Sequence, residues 1–121
     1  HVLLNGWDDR LAVLDYWQSS DSKSRKYVAV GMGMVVGDWI ELKAGVPKDM
    51  EIFFGEFGGG IMSAALLVEV EGIEYPQSRQ GGPLLPAFKT EEFTRDQLEE
   101  IYKYLPPGEL TLTNGPVFRD Y

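Results

Sequence analysis

The stretch Gly6-Trp7-Asp8-Asp9-Arg10-Leu11-Ala12-Val13-Leu14-Asp15 sets two carboxylates side by side at the head of an apolar segment. Adjacent like charges repel. Such a pair either sits in a solvated turn, where Asp is a favoured residue, or holds something positive. Ca²⁺ suits donors of this kind: it is a hard cation that draws roughly six to eight oxygens from carboxylates, side-chain amides and backbone carbonyls. Asn5 brings a side-chain amide to the same stretch. The residues fit both readings, a solvated turn and a metal-holding pair at Asp8 and Asp9.

Other stretches invite chemistry less directly. Gly31-Met32-Gly33-Met34-Val35-Val36-Gly37 has the wrong glycine spacing for a dinucleotide loop, and no clear helix follows it. Gly55-Glu56-Phe57-Gly58-Gly59-Gly60 reads as a ligand-approaching loop or as a wide connection, and no phosphate-loop lysine follows. Trp7, Tyr16, Trp17 and Trp39 offer flat apolar faces that could stack on sugar rings. Core packing competes for each, above all for Trp39 in an alternating segment. Trp17, beside the polar run Gln18 to Lys26, is the best exposed candidate. Ser19, Ser20, Ser22 and Ser24 lie in that run without a nucleophile-elbow context, and the only histidine is His1. No catalytic constellation emerges, and the chain reads as a non-enzyme.

Composition narrows the partners. The chain has 121 residues, 44% of them hydrophobic, enough for one modest core. A net charge of −8 argues against nucleic acid, whose binders show a basic face, and against anionic membranes. It does not disfavour neutral sugars or cations. Cysteine is absent, which excludes disulfides, zinc thiolates and thiol nucleophiles within these residues. No apolar run approaches the roughly 20 residues of a membrane-spanning helix.

The elements that must position these residues are mostly short strands. Val2-Leu3-Leu4 is an apolar run closed by the turn dipeptide Asn5-Gly6, and Arg10 to Tyr16 suits a second strand. Asp38 to Lys43 largely alternates polar and apolar residues, and Asp49 to Phe54 reads as its hairpin-like partner across the Ala44–Lys48 turn. Ile61 to Glu71 has helix-like composition but ends in strand-like alternation, so it reads as a strand. Glu74 to Pro86 reads as a long loop. Thr94-Arg95-Asp96-Gln97 is a capping box, Phe93 and Leu98 are placed as a hydrophobic staple, and Pro106-Pro107-Gly108 ends the helix. Glu109 to Leu112 suits a last short strand before the Asn114-Gly115-Pro116 turn. Strand spacing of about ten residues favours an antiparallel sandwich or barrel.

GWDDRLAVLD, a polar loop, GDWIELKAG and DMEIFFGEFGGGIMSAALLVEVEG, in that order, resemble the later half of the protective-antigen-type domain. That family includes modules of bacterial toxins, glycosidases and yeast flocculin adhesins. The resemblance covers roughly Val2 to Glu71. It implies an antiparallel β-sandwich that lacks its first strands here, with residues 1–71 as the sandwich and 72–121 as a loop, helix and short-strand extension packed on it in one domain. It also implies a metal role for Asp8 and Asp9, whose Ca²⁺ would contact sugar hydroxyls. Trp17, Gly58 and Gly59 are the remaining ligand-contact candidates. The expected function is a non-catalytic, Ca²⁺-dependent carbohydrate-binding module of an exported or cell-surface protein, with a glycan as partner and no membrane insertion. The alternative is an assembly module for protein–protein contacts, completed by strands from another chain or segment.

Overall fold

The structure, a computed structural model, describes residues 2–4, 13–14, 28–29, 32–33, 36–37, 39–52, 65–79, 81–105 and 107–119. The chain divides into two compact units: His1–Tyr27 with Gly33–Met62, and Val28–Met32 with Ser63–Tyr121.

In the first unit, β1 (Val2–Leu4), β2 (Val13–Leu14) and β5 (Met50–Ile52) form a three-stranded antiparallel sheet in the order β2-β1-β5. Val2 pairs with Leu14 and Leu3 with Val13 on one side. Val2 pairs with Ile52, Leu3 with Glu51 and Leu4 with Met50 on the other. A separate two-stranded sheet joins β3 (Val28–Ala29) and β4 (Met32–Gly33), residues that except for Gly33 belong to the second unit.

The hairpin expected between Asp38–Lys43 and Asp49–Phe54 takes a different form. Among the described residues, β5 pairs with β1 and residues 39–43 carry no strand pairing. The turn between them is anchored locally: the Val46 N–H donates to the Lys43 carbonyl at 3.2 Å. Gly45 supplies its φ of +77°, a value that glycine reaches without steric cost. Pro47 has no N–H to donate to a continuing ladder. Trp39, read from alternation as a core residue, is 56% exposed. Alternation marks the two faces of a strand, and without strand pairing it does not dictate burial.

The second unit is held by hydrogen bonds that converge on residues 85–88. The Val68 N–H donates to the Pro86 carbonyl at 2.9 Å and the Phe88 N–H to the Leu66 carbonyl at 2.8 Å, bridging Leu67 to Ala87 antiparallel. On the opposite side, the Ala87 N–H donates to the Thr111 carbonyl at 2.8 Å and the Thr111 N–H to the Leu85 carbonyl at 3.0 Å, a parallel bridge. Residues 65–70 and 109–112 therefore run as isolated bridges where short strands were expected. Pro86 lies at the centre of this arrangement and has no N–H, which limits how far a ladder can extend.

Around this centre sit buried Leu85, Pro86, Leu110 and Leu112. The Phe88 and Phe118 rings stack with centroids 5.0 Å apart. The stretch Glu74 to Pro86, read as a loop, contains a tight reversal. Gln77 bridges to Pro83, the Leu84 N–H donates to the Pro76 carbonyl at 2.7 Å, and the Ser78 N–H donates to the Gly82 carbonyl at 2.6 Å.

The helix α1 spans Arg95–Tyr102. Its capping box closes as the sequence specifies. The Gln97 N–H donates to Thr94 Oγ1 at 3.2 Å, and the Thr94 N–H donates to Gln97 Oε1 at 2.9 Å. Leu98 and Ile101 are half-buried. The Leu112 N–H reaches Tyr102 Oη at 3.4 Å, tying the helix end to the buried segment. The surface ion pairs Arg95–Glu99 and Lys103–Glu100 are well exposed and contribute little to stability.

Candidate functional site

All five residues singled out by sequence, Asp8, Asp9, Trp17, Gly58 and Gly59, lie outside the described residues, as does His1. The described strands nonetheless fix where the chain leaves and re-enters the first-unit sheet. It leaves β1 after Leu4 and enters β2 at Val13, the partner of Leu3. β2 ends at Leu14 and β5 ends at Ile52, both partners of Val2.

In sequence the carboxylate pair falls between the residues of β1 and β2. The donor chemistry of that segment, two carboxylates and an amide oxygen, suits Ca²⁺. Among the described residues, no group of three or more His, Cys, Asp or Glu side chains could hold a metal ion.

Elsewhere in the first unit, Glu41, Lys43, Val46 and Lys48 line an open depression of about 390 Å³ around the Lys43–Val46 turn. All four side chains are exposed, so the depression has no desolvated wall to hold a ligand.

The second unit contains buried polar groups that sequence reading missed. The Lys89 side chain is only 2% exposed and its Nζ donates to Glu92 Oε2 at 2.8 Å. Its burial does not follow from any local sequence pattern. Glu109 is also buried. Ser78 is buried, and its Oγ has no hydrogen-bond partner. An unmade hydrogen bond of this kind costs about 1–3 kcal/mol. Among the described residues no base is hydrogen-bonded to Ser78 Oγ.

Among the described residues no helix is long and apolar enough to cross a membrane. Comparison with protein-family models, curated proteins and solved structures finds no match for this chain.

Proposed function

We propose that the chain is a non-catalytic binding module of an exported or cell-surface protein, a mostly β antiparallel sandwich that binds carbohydrate with Ca²⁺. The observation that carries this reading is the adjacent carboxylate pair Asp8-Asp9 within the motif GWDDRLAVLD. The motif order from GWDDRLAVLD to the glycine run supports it, as does a net charge of −8, which attracts a cation and leaves neutral sugars free to approach.

Asp8 and Asp9, with Asn5 as a further oxygen donor, would hold the ion, which when bound coordinates vicinal sugar hydroxyls. Trp17 would stack on a ring face, and Gly58 and Gly59 would let the backbone approach the ligand.

Titration calorimetry with Ca²⁺ on the parent chain and on an Asp8→Ala/Asp9→Ala variant tests the reading. Heat from the parent alone, with a melting temperature that falls in chelator, is expected. No heat, with melting unchanged by chelator, sinks it. A glycan array read with and without Ca²⁺ then tests the sugar.

A second reading, an assembly module, is favoured by the exposure of Trp39, Leu42, Val46 and Ile52, the last in the outer strand β5. Sedimentation over a concentration series distinguishes it: self-association lost on Ile52→Glu supports assembly, and a monomer at every concentration removes its homomeric form.

A further inference from the structure

The Asn114-Gly115 dipeptide combines four features in one turn. Asn114 is exposed and has a φ of +64°. Among the described residues, no hydrogen bond engages its carboxamide. The Gly115 N–H donates to no backbone carbonyl among them. Gly115 has no side chain to obstruct its own nitrogen. The turn is tied down only on either side. Thr111 Oγ1 accepts the Thr113 N–H at 3.1 Å, and the Phe118 N–H donates to the Lys89 carbonyl at 3.0 Å. A nucleophilic nitrogen on half-buried Gly115 and an electrophilic carbonyl carbon on exposed Asn114 are thus adjacent, with no competing hydrogen bond among the described residues.

From this geometry we propose that Asn114 is a site of spontaneous deamidation in the folded protein, with water as the co-reactant. The Gly115 nitrogen gives its proton to solvent base and attacks Asn114 Cγ. The new N–Cγ bond closes a five-membered imide, the Cγ–Nδ2 bond breaks, and the departing nitrogen takes up a proton to leave as ammonia. Water then opens the imide. Cleavage of the N–Cγ bond leaves aspartate; cleavage of the bond between that nitrogen and the Asn114 backbone carbonyl leaves isoaspartate, with the chain now running through Cγ. Either product adds one negative charge to the formal −8 of the chain.

The isoaspartyl product also lengthens the backbone at a place with no slack. A Cβ on Gly115 would overlap Pro86 Cβ and lie 2.8 Å from Pro86 Cγ, so Gly115 is already in close contact with a fully buried residue. Extra backbone between Asn114 and Gly115 shifts Gly115 along this contact, at the centre of the second unit's hydrogen bonds. Conversion of Asn114 is therefore a covalent route by which age or alkaline pH loosens that unit.

The test is incubation of the whole chain in mildly alkaline buffer, native and in urea, followed by peptide mapping that separates aspartate from isoaspartate at position 114. The expected result is conversion in the native chain at a rate within a few-fold of that in urea, with isoaspartate as a product. Native conversion slowed by about tenfold or more, which is about 1.4 kcal/mol of added barrier, overturns the proposal. So does a native product that contains aspartate alone.

Discussion

The two units are held by different means. In the second, Leu85, Leu110 and Leu112 are buried around Pro86, and hydrogen bonds from residues 66–68 and from Thr111 converge on one segment. In the first, backbone pairing of three short strands is the visible organisation, and none of the side chains described over residues 39–52 is buried. Burial makes a unit sensitive to single changes of side-chain volume. An exposed, turn-rich segment tolerates them. The contrast also bears on function, since the candidate binding residues fall in the first unit's residue range while the second supplies packed volume.

Substitutions can break or sharpen this contrast. All three tryptophans fall in the first unit's residue range, so their fluorescence reports that unit, while amide exchange over residues 84–112 reports the second. The largest effect is expected from Leu112→Ala, which should lower the stability read by exchange by about 2–4 kcal/mol through lost burial and a residual cavity. An effect near zero would remove the basis for calling the second unit the packed one. Gly115→Ala should cost about 1–3 kcal/mol, because the new methyl overlaps Pro86 and one of the two must move. Ser78→Ala should act in the opposite direction and raise stability by about 1 kcal/mol, since it removes a buried hydroxyl that has no partner. Thr94→Ala should cost about 1 kcal/mol by opening the capping box, visible as faster exchange at the Gln97 amide. Trp39→Ala should be the smallest, within about 0.5 kcal/mol, because the side chain is more than half exposed. A large destabilisation there would show that the first unit has a core built around Trp39.

Legibility from sequence followed the range of the interactions. The helix start was readable at Thr94 and Gln97 because both hydrogen bonds of the cap join residues three apart. The turn at Lys43–Val46 was readable for the same reason. The partner of β5 was not. Turn chemistry pointed to the neighbouring segment, whereas the structure pairs Met50–Ile52 with Val2–Leu4, far away in the chain. The reversal inside Glu74 to Pro86 was hidden by its Pro, Gly and Ser content, which marks turns but not which residues face across them.

Neighbouring residues alone therefore decided the acidic surface, the absence of thiol chemistry, the capped helix, the paired carboxylates and the reactive Asn114-Gly115 bond. Each is a property of charge, functional group or contacts a few residues long. Tertiary structure decided what pairs with β5, that Trp39 faces solvent, that Ser78 is buried without a partner and that Gly115 abuts Pro86. These depend on which distant segments meet, and the free energy that selects among such meetings is a sum over the whole packed unit.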